Sequence, residues 1–233
     1  MPNKKVIIDI ETAGCEFESL DDISKELFLK YAETQEEKQE LKESLSFYPL
    51  TAQVVAIGMI DSDSQNSLVL FQNPNDKGKI LKEKETEFIS MGDEKELLKD
   101  FWLRLDNYRQ VVTFNGRGFD CPFLMVRSAI NSIKPSKNLM PNRYSSDMHI
   151  DLLDRLTFYG STRRRFNLHM WCKAFGIDSP KEGEVTGYQV KDLFRQGDFL
   201  KIAYYCLGDI IATKKLFLYW EKYLNFEDRK NWQ

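Results

Sequence analysis

Residues 6–12, Val6-Ile7-Ile8-Asp9-Ile10-Glu11-Thr12, are a β-branched run into which two carboxylates have been set. Strand side chains alternate faces, so Asp9 and Glu11 project on the same side, about 6 to 7 Å apart along the chain. Val6, Ile8 and Ile10 take the other face, and Ile7 shares the acidic one. Two acids on a strand fit for burial repel each other and lose hydration, unless a cation offsets them. The pair therefore reads either as a hard-metal site or as a frayed strand end in water. The rest of the chain decides between the two.

Going outward, Glu16 to Ser46 is free of Gly and Pro and rich in Glu, Lys, Gln and Leu. Leu20, Ile23, Leu27 and Tyr31 recur at helical spacing, which predicts one or two helices, anchored at the start and solvated around residues 34–40. The segment is acidic: residues 16–44 hold ten acids and four bases, a local balance of -6, which leaves the remainder near +3 against a net -3. Residues 54–60 and 67–71 read as a β-hairpin around a polar turn. Residues 73–92 read as polar and irregular, with a short strand near Phe88-Ile89. Asp93 followed by Glu96 suits a helix N-terminus over residues 94–107.

A buried strand at Val111 to Phe114 is broken by Asn115-Gly116-Arg117-Gly118, and Phe119-Asp120-Cys121-Pro122 opens the next helix. Asp120 is then either that helix's N-cap or a third carboxylate at a strand end. After a loop over residues 131–146, a strand near 148–153 is expected. Arg163-Arg164-Arg165 forms the compact basic cluster of the chain, suited to phosphate oxygens or to an ordinary exposed surface. Asn167 to Phe175 reads as a helix stopped by Gly176, and residues 183–187 as a loop. The last long helix, about Asp198 to Leu224, is apolar nearly all round. Tyr205 and Asp209 stand in it four residues apart, on one face.

Composition narrows the classes. With 233 residues, 42% hydrophobic and 30% charged, the chain is an ordinary globular one with ample length for a core. Cys15, Cys121, Cys172 and Cys206 are widely spaced, and His149 and His169 are the two histidines, which argues against a zinc cluster or a disulfide framework. No apolar run approaches the roughly 20 residues that span a bilayer. The short run from Lys4-Lys5 to Asp9 is also too acidic for a secretory leader. A cytoplasmic protein without membrane contact is expected.

Taken in order, Asp9-x-Glu11, Asn115-x-x-x-Phe119-Asp120 and Tyr205-x-x-x-Asp209 resemble the three exonuclease motifs of the DEDD superfamily. Most closely the chain resembles stand-alone exonucleases similar to the proofreading domain of B-family DNA polymerases, over nearly its whole length. The histidine branch of the superfamily places His five residues before the last Asp, where this chain has Tyr204. The tyrosine branch places Tyr four before it, as Tyr205 does.

The resemblance implies a single ribonuclease-H-like α/β domain over residues 1–233, with the acidic helical insertion at about 16–46. Its sheet would be mixed and five-stranded, with one antiparallel strand and helices on both faces. It implies a 3′–5′ exonuclease that releases nucleoside 5′-monophosphates from single-stranded or frayed 3′ ends, DNA first. An exoribonuclease and a non-catalytic binding or scaffold module are the alternatives. Asp9, Glu11, Asp120 and Asp209 would ligate two divalent ions, Mg²⁺ or Mn²⁺, which oxygen donors select. Tyr205 would orient the attacking water. Thr12, Asn115 and Phe119, with Arg163, Arg164 and Arg165, would contact the nucleic acid, and the acidic insertion offers a surface for a protein partner.

Overall fold

The computed structural model describes residues 4–179 and 187–226. Seven strands form one sheet: β1 (Lys5–Gly14), β2 (Ala52–Asp61), β3 (Ser67–Gln72), β4 (Ile80–Glu83), β5 (Thr86–Met91), β6 (Gln110–Thr113) and β7 (His149–Asp151). Their order is β4-β5-β3-β2-β1-β6-β7. β2 runs antiparallel to β1 and β3, while β6 and β7 continue parallel to β1. The expected five-stranded ribonuclease-H-like arrangement with one antiparallel strand is thus present as β3-β2-β1-β6-β7.

Two further strands extend it past β3. β5 pairs parallel to β3, and β4 pairs antiparallel to β5. β4 is largely solvent-exposed, so it carries no buried apolar face to betray it in sequence.

Among the described residues eight helices accompany the sheet: α1 (Asp22–Leu29), α2 (Gln35–Glu43), α3 (Glu94–Leu105), α4 (Asp120–Ile130), α5 (Leu152–Leu156), α6 (Leu168–Ala174), α7 (Val190–Gln196) and α8 (Phe199–Tyr223). α3 begins where expected, with the Asp93 side chain accepting from the Glu96 amide at 2.8 Å and Glu96 reaching back to Gly92 N. α1 and α2 fill the acidic segment expected to be an insertion, and α2 opens with a full Thr34/Glu37 capping box. Of the loop expected at 183–187, only Gly187 lies among the described residues; it opens a 3-10 turn.

The alternation read in β1 divides the core. Val6, Ile8 and Ile10 pack with Leu97, Phe101 and Leu124 of α3 and α4 on one face. Ile7 packs on the other with Ile210, Leu216 and Phe217 of α8. α8 also buries Ile202 and Cys206 against Val69 and Phe88. Each of its fully buried Ile, Leu and Phe side chains contributes about 1.5–3 kcal/mol by area. A helix held that firmly is a rigid mount for polar side chains. The four cysteines are free thiols, three of them buried. Among the described residues no helix is long and apolar enough to cross a membrane.

Candidate active site

Asp9 and Glu11 face α8, and what brings that helix close is a missing side chain. Asp9 pairs across the ladder with Gly58 of β2. A Cβ on Gly58 would stand 2.8 Å from Ile210 Cγ2 and 3.0 Å from Cys206 Sγ. An isolated glycine in an otherwise apolar strand is the usual mark of such an approach. One residue past Glu11 a bulge shifts the β1–β2 register, which increases the local twist. On the α8 side Tyr205 and Asp209 meet the two strand acids in an open cleft of about 650 Å³.

Asp120 arrives from the opposite side of β1. It is the first residue of α4, 3% exposed, and it does not cap that helix; Phe119 holds the N-cap position without a side-chain bond. Its Oδ1 instead accepts from Ile10 N at 3.1 Å, directly between the two strand acids. The loop that delivers it is organised by Asp151 at the end of β7. One Asp151 oxygen accepts from Asn115 N at 3.0 Å and from Leu153 N, and the other from Arg117 N at 2.9 Å. Those bonds hold Asn115 in a left-handed conformation, φ 61°, which Asn tolerates better than most residues. Asn115 and Phe119 both line the cleft.

The electrostatics are those of acids gathered faster than they are neutralised. Burial, then the fields of Asp120, Asp209 and Glu11, hold Asp9 well above the usual carboxylate range. Burial raises Asp120 to about 7, against the hydrogen bonds it accepts from its own amide and from Ile10, with the Asp151 and Asp209 charges adding to the rise. Burial and the charges of Asp209, Glu11 and Asp9 push the Tyr205 phenol upward, as does its hydrogen bond with Asp209. Tyr205 therefore stays a neutral hydroxyl at any physiological pH.

Ligand atoms of Asp9, Glu11 and Cys206 come within 4.8 Å of one another. Burial and the neighbouring acids hold the Cys206 thiol well above its ordinary value, so it remains a thiol, a poor ligand, and its Sγ lies 3.7 Å from the Asp9 carbonyl oxygen. What is left is an oxygen donor set with excess negative charge. That chemistry fits a hard divalent cation.

The other expected contacts divide. Arg165 lines the cleft beside Phe166 and Asn167, with its guanidinium 3.2 Å from Asp154. Arg164 lies over the Phe166 ring at 5.2 Å, Arg163 is exposed, and neither lines the cleft. Thr12 is buried and also absent from the lining; its hydroxyl donates to Ser46 O at 2.7 Å. Sequence reading did not single out Gly58, Asp151 or Phe47. Gly58 had a legible signal, a lone glycine in a strand, whereas the other two depend on contacts made far along the chain.

Comparison with known proteins bears on the fold and the family. No curated protein matches the sequence. Among solved structures, the fold is similar to that of the family B DNA polymerase from the hyperthermophilic archaeon Pyrobaculum calidifontis, with a TM-score of 0.60 and 16% identity. The match covers 95% of this chain and 25% of the polymerase, so the chain spans about a quarter of that protein's length. Residues 46–232 match a family described as a predicted 3′-5′ exonuclease related to the exonuclease domain of PolB. That match begins after Asp9 and Glu11, takes in the Asp120 loop, Tyr205 and Asp209 and covers most of the chain, and the chain belongs to this family of predicted 3′-5′ exonucleases related to the exonuclease domain of PolB.

Proposed function

We propose that the protein is a metal-dependent 3′–5′ exonuclease of the tyrosine type, removing nucleoside 5′-monophosphates from unpaired 3′ ends, DNA before RNA. The observation that carries this reading is the convergence of Asp9, Glu11, Asp120 and Asp209 on one cleft that also presents Tyr205. The four carboxylates would hold two divalent ions, Mg²⁺ or Mn²⁺. When bound, such a pair neutralises the phosphodiester and promotes ionisation of a water.

The chain's own groups do the placing. The Tyr205 hydroxyl, fixed by Asp209, leaves oxygen lone pairs to accept from the attacking water and aim it at the terminal phosphorus. Attack there breaks the bond to the 3′ oxygen, which leaves with a proton as the new terminus. Asn115 and Phe119 flank the acids where the last nucleotide must lie. Arg165, which lines the same cleft, offers its guanidinium to the backbone.

The test is digestion of 3′-labelled and 5′-labelled single-stranded DNA and matched RNA, with Mg²⁺, with Mn²⁺ and with chelator, beside Asp209→Ala. Metal-dependent laddering from the 3′ end, absent in the variant, is expected. Equal digestion by Asp209→Ala, or binding of both polymers with no cleavage, would overturn the reading, the latter in favour of a scaffold.

A further inference from the structure

The acidic insertion ends in a 3-10 turn, Ser44–Phe47, that is fixed to the strand carrying the acids. Thr12 Oγ1 donates to Ser46 O at 2.7 Å, and Gly14 N donates to Ser46 Oγ at 2.9 Å. A Cβ on Gly14 would come within 2.7 Å of Ser46 N, so this approach requires glycine. Leu45, fully buried, anchors the same turn, and Thr51 Oγ1 donates to its carbonyl at 2.8 Å. The next residue, Phe47, is therefore held in place beside the acids. It lines the cleft, its ring stands edge-on to Phe119 with centroids 6.3 Å apart, and it is 37% exposed.

Phe47 also lines a second groove, inside the insertion, together with Glu37, Glu40 and Glu43. The cleft thus has an aromatic pair backed by the acids of the second groove, and Arg165 is also among its lining residues. A nucleobase stacks on an aromatic ring whatever its identity, but only when it has left its own helix. The acidic side repels the phosphates of any second strand, over the few ångströms that salt leaves unscreened.

We propose that Phe47 is a specificity-determining residue: with Phe119 it forms the wall on which an unpaired 3′-terminal base stacks, making the insertion a selector for single-stranded ends. This inference rests on the exonuclease reading, which supplies the 3′ terminus.

Two measurements separate the two ideas. The first compares the protein with Phe47→Leu and Phe47→Trp on a 3′-labelled single strand and on a blunt duplex of the same sequence. Phe47→Leu keeps apolar volume against Phe119 and removes the ring. It should raise KM for the single strand by about five- to a hundredfold, the range that lost base stacking gives. Its kcat should stay within about threefold, and the preference for single strand over duplex should fall. Phe47→Trp should retain that preference.

The second uses a single strand ending in 2-aminopurine, titrated into Asp209→Asn protein with and without Phe47→Leu. Stacking should quench the fluorophore in the first and much less in the second. If the parent cleaves while Phe47→Leu changes neither KM nor quenching, the wall is wrong and the exonuclease stands. If the parent cleaves nothing but quenching depends on Phe47, the catalytic reading fails and the wall stands. Quenching that ignores Phe47, or no binding at all, overturns the wall.

Discussion

Two groups of buried or half-buried acids in this molecule have opposite surroundings. Glu94, 6% exposed at the start of α3, has both oxygens occupied: Oε1 accepts from Val54 N and Arg127 Nε, each at 2.8 Å, and Oε2 from Arg127 Nη2 and Asn131 Nδ2. Arg127 is in turn fastened to Pro49 O at 3.0 Å. At Asp9 the strongest neighbouring fields are instead those of other carboxylates, Asp120, Asp209 and Glu11. A buried acid matched by a bidentate guanidinium completes a fold. Acids that bear on one another leave charge for something outside the chain to complete. One chain thus holds a carboxylate completed within the fold and a set that is not, separable by what each faces, and the proposed function assigns the second set to the metal ions.

Mutation should pull the two groups in opposite directions. The largest effect expected is from Asp9→Asn, which should lower exonuclease turnover by at least about 10³-fold, because a lost metal ligand forfeits several kcal/mol of transition-state stabilisation. The same substitution removes repulsion, so in chelator the variant should melt at or above the parent's temperature. Saturating Mg²⁺, at about 100 times its Kd, should stabilise the parent by about 2.7 kcal/mol and the variant much less. Thermal melts with and without the ion check both halves. A variant that melts well below the metal-free parent would mean that Asp9 is structural after all.

Glu94→Ala should do the reverse. It strands the Arg127 guanidinium and the Val54 amide, at a cost of about 3–5 kcal/mol. Turnover per folded molecule should change little, because Glu94 lies outside the cleft lining. Urea denaturation followed by an assay of the folded fraction would expose a coupling between the two sites if one exists.

How early each group can be recognised follows from the range of its contacts. The facing of Asp9 and Glu11 is a period-2 fact of one strand, and that of Tyr205 and Asp209 a one-turn fact of one helix; both were legible, as was the Asp93 cap. Asp120 was ambiguous because an acid before a helix is usually a cap, and only the long-range bond to Ile10 N shows that its carboxylate turns to β1 instead. Asp151, Phe47 and the Glu94–Arg127 pair were opaque, since each acts on residues 30 or more positions away. β4 was missed because an exposed edge strand needs no hydrophobic pattern.

A third buried titratable group extends the comparison to a base. His149 of β7 is 2% exposed, with Nε2 2.8 Å from Thr113 Oγ1, and burial, followed by the Arg117 charge, lowers its pKa to about 3. In the unfolded chain an ordinary His titrates near 6.5. Between those two values the unfolded state binds the extra proton, so stability is complete above about pH 6.5 and falls as the pH drops toward 3. The slope approaches about 1.4 kcal/mol per pH unit below about pH 5.5, which makes the loss between pH 6.5 and 5 about 1.6 kcal/mol. His149→Gln, which can still meet Thr113 but cannot take up a proton, should flatten that part of the profile when parent and variant are denatured in urea across this range. An unchanged slope would place the acid sensitivity elsewhere. A flattened one would show that the chain excludes charge from the base of β7, within a few residues of where it gathers charge around Asp9.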